Sequence, residues 1–200
     1  MILQRAPSVP LRPFIAGLWA SDGPLDGPIA GPLRREHVLP TGLMHVVIRL
    51  DDRPLTFLQP QTSLRSIAPL CLVGGARSHF HARETVGSPC SVGALLWPGT
   101  AAHLFGTGAN ELAHRHTALD DLWGSPRADD LRAELCELRC AEDRMSLLES
   151  RLGERLPASL PAVPARPTPG EGITPATLES AVLRGHPLLD LQRTRTQREL

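Results

Sequence analysis

The chain has 200 residues, and 21 basic side chains, all of them arginine, balance 21 acidic ones for a formal net charge of zero. That length accommodates one domain with a real core plus a small appendage, and the charge balance gives no global attraction to nucleic acid or an anionic membrane. Four cysteines, Cys71, Cys90, Cys136 and Cys140, none in a Cys-x-x-Cys pair, make neither a disulfide framework nor a zinc ribbon, so reduced thiols in a cytoplasmic protein are expected. The opening MILQRAPSVPLRPF places an arginine and prolines where a signal peptide needs an unbroken apolar core, and no apolar run reaches the ~18 residues of a membrane span.

The chain begins with prolines at 7, 10 and 13, an apolar run from Phe14 to Trp19 that reads as a first strand, and a Gly/Pro/Asp loop from Ser21 to Pro32. Pro40-Thr41-Gly42 signals a turn. Behind it Met44, Val46, Ile48 and Leu50 alternate with His45, Val47 and Arg49 at the two-residue period of a half-buried strand. Asp51-Asp52-Arg53-Pro54 then turns the chain, and Leu55–Leu58 is expected to return as the second arm of a hairpin. From Val73 to Gly106 short apolar runs alternate with Gly-Gly, Ser-Pro and Pro-Gly. Leu70–Val73 and Val92–Trp97 are too short for helices and read as buried antiparallel strands. Short strands at close spacing, with no helical pattern between them, indicate an antiparallel barrel or sandwich.

After Gly106 the pattern becomes helical, giving an α+β chain. Ala109–His114 reads as a short helix, and Leu119–Gly124 supplies two large apolar anchors and a closing glycine. Ser125 as N-cap, Pro126 at the first helical position and Asp129 and Asp130 near the positive end of the dipole then open one long amphipathic helix. Its stripe is Leu131, Leu135, Leu138, Met145, Leu148, Leu152 and Leu156, ending at Pro157. Such a stripe either meets a helix of a second subunit or covers an open end of the β-structure. Residues 1–156 therefore form the main domain. Residues 157–172, rich in Pro and Ala, form a linker, and 173–200 begin a second unit with a short helix near Ile173–Gly185.

Several pieces, in this order, resemble the N-terminal regulatory domain of AraC/XylS-type bacterial transcription regulators: LRPFIAGLWAS, REHVLPTGLMHVVIRL, VGGARS, VGALLWPGTAAHLFG and LDDLWG, with ITPATLESAVLRGHP standing where a second domain starts. The resemblance implies a cupin-like β-barrel followed by helices, acting in effector sensing and dimerisation. It implies a homodimer, or a mixed dimer with a full-length relative, and a small-molecule effector, with no cofactor and no enzymatic turnover. The family's two helix-turn-helix units have no counterpart in the 13 residues after Pro187, so specific DNA binding by this chain alone is not expected, and the chain reads as a truncated or split regulator.

If the resemblance holds, His45, Arg49, Arg77 and Trp97 are the first ligand-binding candidates, because they lie in or beside strands and can orient an anionic or aromatic molecule. Strand alternation fixes which residues share a face but not which face is inside. His79, His81, Glu84 and His103 echo the order of the cupin metal pattern with altered spacing. They define the alternative, a metal-dependent cupin-like enzyme, against a reading as polar residues at a strand end. His114 and His116 are explained by a helix C-terminus, and Cys136 and Cys140 as two half-buried thiols on one helix face.

Overall fold

The computed structural model describes residues 2–23, 31–58, 65–87 and 89–156. The linker and second unit expected at 157–200 lie outside the described residues. In chain order the strands and helices are β1 (Ile2–Arg5), β2 (Ile15–Ser21), β3 (Leu33–Val38), β4 (Met44–Arg49), β5 (Leu55–Leu58), β6 (Arg65–Ile67), β7 (Cys71–Gly74), β8 (His81–Val86), β9 (Ser91–Leu96), α1 (Ala101–Phe105), α2 (Ala109–Leu112), β10 (His116–Ala118), α3 (Leu119–Trp123), α4 (Ser125–Glu137) and α5 (Ala141–Gly153). The α+β class and antiparallel pairing follow the sequence reading. The strands form two sheets rather than a closed barrel, a six-stranded one in the order β1-β2-β9-β4-β7-β10 and a four-stranded one in the order β3-β8-β5-β6.

Alternation along the central strands explains why the larger sheet is buried on both faces. Leu18 and Ala20 of β2, Met44, Val46 and Ile48 of β4, Val73 of β7 and Val92, Ala94 and Leu96 of β9 join one core with the helices. Within it Leu135, Met145, Leu148 and Leu152 are wholly buried, and α5 lies across β2 and β9. The intervening residues, among them His45, Val47, Arg49 and Leu95, face the smaller sheet across a cavity. One face is therefore sealed by aliphatic packing and the other is left to polar side chains.

Two sequence expectations are corrected here. Leu55–Leu58 is not the hairpin partner of β4. It pairs with β8 and β6 in the opposite sheet, whereas β4 lies between β7 and β9. The four residues Asp51–Pro54 cross from one sheet to the other, and composition cannot distinguish such a crossing from a tight turn.

The single long helix is also replaced, by two. Leu138 is extended, with φ −77° and ψ 140°, and Cys140 caps α5 by accepting the Asp143 amide on its sulfur at 3.4 Å. The Arg144 guanidinium donates to the Leu138 carbonyl at 3.1 and 2.7 Å, which satisfies the broken end. A step of seven from Leu138 to Met145 fits two helical turns, and it also fits a break with re-entry. Cys136 lies in α4 and Cys140 at the start of α5, so they do not share one helix face. Gly124, at φ +87°, occupies the cap position ahead of Ser125. Leu131, Leu135, Met145, Leu148 and Leu152 of the stripe pack in the chain's own core with the larger sheet, while Leu138 is half-buried.

Candidate functional site

The cavity between the sheets has a volume of about 360 Å³. Its floor is built by the six-stranded sheet. In the register, Gly74 of β7 stands between His45 of β4 and His116 of β10. A Cβ at Gly74 would run into the His45 imidazole, so the missing side chain is what lets two imidazoles share this patch, 5.9 Å apart between ring centres. Phe57 of β5 covers His116 from the opposite sheet, with the rings stacked at 3.6 Å and an angle of 5°. His81, the first residue of β8, completes the cluster edge-on at 5.0 Å from His116. At the other side Trp19 lies over Gly93, its partner in register, and also lines the cavity.

Four arginines, Arg34, Arg49, Arg77 and Arg83, line this space, and they differ in their partners; Arg34 is exposed on β3. Arg83 is held by Glu36, at 2.7 Å, and Arg49 faces Asp51 at 3.6 Å. Asp51 is itself 2% exposed; it accepts the Arg53 amide at 3.2 Å and the Cys90 amide, so it is anchored from two chain segments. Arg77, just beyond β7, joins none of the ion pairs among the described residues. It meets the Nδ1 of His116 at 3.0 Å. Arginine only donates, so His116 accepts at Nδ1 and carries its proton on Nε2. That Nε2 and the Nε of Arg77 are both buried donors without an acceptor, and the His81 Nδ1 is likewise unpartnered.

Burial and positive neighbours keep all three imidazoles neutral. The His45 pKa falls to about 4, first through burial and then through Arg83 and Arg77. Burial, Arg77, His45 and Arg83 lower His81 to about 3. His116 falls to about 2 by burial, then by His45 and Arg77. Burial also lowers the pKa of Arg77 and of Arg49, against Asp51 in the latter case. The site is thus a partly apolar chamber with neutral rings, and of its four arginines only Arg49 and Arg83 join an ion pair among the described residues.

Of the residues singled out from sequence, His45, Arg49 and Arg77 are brought together on the cavity wall. Trp97 is not. It follows β9, lies outside the cavity lining and donates its indole N–H to the Arg12 carbonyl at 3.3 Å, whereas Trp19 lines the cavity. The metal quartet of the alternative reading is dispersed. His79 is exposed and stacks on His114, outside β8, so it does not share a strand face with His81. Glu84 is paired with Arg35 at 2.7 Å and Arg65 at 3.4 Å, and His103 packs edge-on against Phe14 in α1. Among the described residues no group of three His, Cys, Asp or Glu stands together as a metal site. His116 was missed because it was attributed to a helix end, whereas it begins the edge strand β10. Its place opposite Gly74 was the usable signal.

A model of a domain family matches residues 3–118, more than half of the chain. The chain belongs to the DUF6597 family, described as a domain of unknown function. The DUF6597 segment runs from β1 through β10. It carries all of the cavity-lining residues except Ile2, while α3, α4 and α5 lie beyond it. No curated protein and no solved structure matches the chain.

Proposed function

We propose that this chain is the effector-sensing module of an AraC/XylS-type transcription regulator, taking a small molecule into the chamber between its two sheets and acting by binding rather than turnover. The observation that carries this reading is the chamber itself. It is large enough for a small organic molecule, and it is lined by apolar side chains together with His45, Arg49, Arg77 and His116. Pre-formed concave sites with a few convergent polar groups are how small ligands are held. The ordered resemblance of LRPFIAGLWAS, REHVLPTGLMHVVIRL and VGALLWPGTAAHLFG to the regulatory domains supports the same reading.

Assembly as a homodimer or with a full-length relative belongs to the proposal, and so does a cytoplasmic setting. The interface would use a surface other than the Leu131–Leu152 stripe, which is already packed inside the chain. Among the described residues no helix is long and apolar enough to cross a membrane.

A thermal-shift screen of the full chain against a panel of neutral, cationic and anionic metabolite-sized compounds tests the reading. The expected result is a saturable stabilisation by a chemically related subset. A ligand at 100 times its Kd adds ~2.7 kcal/mol to stability, a shift of several degrees. Leu95→Trp, which fills the chamber from β9, should abolish it. Stabilisation by no compound, or an unchanged response in the Leu95 variant, would refute the assignment.

A further inference from the structure

We infer that the chamber selects an organic anion over neutral and cationic molecules, because positive side chains outnumber negative ones in its lining and two of them, Arg34 at the rim and Arg77 inside, join no ion pair. The inference rests on the sensor reading above and adds the sign of the ligand's charge.

Among the described residues the lining holds four arginines, Arg34, Arg49, Arg77 and Arg83, against two acids, Asp22 and Glu36. Glu36 is held by Arg83 at 2.7 Å. Two partners from outside the lining close further pairs: Arg144 meets Asp22 at 3.4 Å, and Asp51 faces Arg49 at 3.6 Å. Each pair cancels, and the neutral imidazoles of His45, His81 and His116 add nothing. Arg34 and Arg77 are left, and the chamber keeps their positive charge. Burial lowers the Arg77 pKa with no carboxylate opposing it, whereas at Arg49 burial is opposed by Asp51. A guanidinium in such a place stays charged.

The two arginines differ in setting. Arg34 points inward on β3 with Glu36 and Val38, the alternate residues that also line the chamber, but it is exposed, so dissolved salt screens it. Arg77 is half-buried and is tied to His116 Nδ1 at 3.0 Å, and that ring is stacked on Phe57, so its charge is fixed in place and screened less. Arg34 therefore steers the approach of a charged molecule, and Arg77 discriminates once it is inside. A cation would meet like charge, with both lining carboxylates already paired. A neutral molecule would displace water from Arg77 and return no charge. An anion meets both conditions, and carboxylates and phosphate monoesters share that chemistry. Val47, Leu55, Leu72 and Leu95 line the remaining wall and suit an apolar body.

Calorimetric titration of the full chain with one body and four head groups tests the sign: 3-phenylpropanoate, 3-phenylpropyl phosphate, 3-phenylpropanamide and 3-phenylpropylammonium. At least one anion should bind roughly tenfold or more tighter than both the amide and the ammonium. Whichever of the two anions binds tighter identifies the head group. Arg77→Gln should erase most of the preference, and Arg34→Gln should chiefly flatten its dependence on salt. In the wild-type chain, raising the salt from about 0.05 to 0.5 M should weaken the anion and leave the amide nearly unchanged. That readout holds even if Arg77→Gln does not fold. An amide or ammonium that binds as tightly as both anions, a preference unmoved by Arg77→Gln, or an anion affinity indifferent to salt would overturn the inference. So would the absence of binding by all four probes, in which case the broader thermal-shift screen decides separately whether the sensor reading stands.

Discussion

Stability of this domain should fall steeply as pH drops below neutrality, because three buried imidazoles refuse protons that the unfolded chain accepts. Unfolded, His45, His81 and His116 titrate near 6.5; folded, they titrate at about 4, 3 and 2. Well above pH 6.5 neither state holds these protons and the three histidines add no pH dependence. Below it the unfolded chain binds more protons than the folded one, so the folded state loses ground with every further step down. The slope approaches ~1.4 kcal/mol per pH unit for each histidine, which gives ~1 kcal/mol each and ~3 kcal/mol together between pH 6.5 and 5.5. That is a large fraction of the ~5–15 kcal/mol of a typical domain. The His45 part of the loss levels off near pH 4, where that ring takes its proton inside the fold, and the His81 and His116 parts continue below it.

Glu149 acts in a different window. Burial raises its pKa, but the Ser8 amide and Arg5 outweigh burial and hold it below the usual carboxylate value of 4.5. Its contribution is present above 4.5 and is lost as pH falls through its lowered value, below the span of about pH 8 to 5 in which the histidine slope is read. Urea melts in half-unit steps from about pH 8 to 5 give the slope directly, and His116→Phe, which keeps the stack on Phe57, should reduce it by about one third. A urea midpoint that stays constant between pH 7.5 and 5.5, or a slope unaltered by His116→Phe, would show that these rings are not held neutral.

Asp51→Ala should destabilise the fold by ~3–5 kcal/mol in denaturant titrations, because it leaves Arg49 buried without its partner and orphans the Cys90 and Arg53 amides. Asp51→Asn, which keeps one acceptor, should cost less. Gly74→Ala should cost ~1–3 kcal/mol by driving its methyl into the His45 ring, while Gly99→Ala, with open space around it, should shift the melting temperature little. In the native protein a maleimide should label exposed Cys140 first. Cys71, buried and with its thiol pushed up to about 12, and buried Cys90 should react only on unfolding, as followed by peptide mass mapping.

Much of the scaffold was legible because strand signals are local. The alternation Met44, Val46, Ile48 against His45, Val47, Arg49 located β4 within one residue, and the apolar runs Leu70–Val73 and Val92–Trp97 located its two neighbours, each one residue out of step with the strand. Strands with weaker patterns, such as β3 with its run Leu33-Arg34-Arg35-Glu36-His37-Val38 and the short β10, carry mostly exposed or half-buried residues and leave little apolar trace. The leucine spacing correctly found the residues that face the core and misjudged the helix carrying them. A stripe reports burial, whereas continuity depends on the residues between α4 and α5, where Leu138 and Cys140 are both extended.

For the site, the sequence by itself determined which residues share a face: His45 with Arg49, and the aliphatic set on the other side of β4. It also determined the class of side chain available, arginine and histidine among strands. Only the tertiary structure decided which face looks into a chamber and which under the helices, because that depends on where α5 and the second sheet pack. It alone brought His116, Arg77 and His81 to the same wall from segments far apart in sequence, and moved Trp97 out and Trp19 in. Partnering too is a tertiary property. Arg49, Arg83 and Arg77 are alike as letters, and only the positions of Asp51 and Glu36 leave the third without a counter-ion.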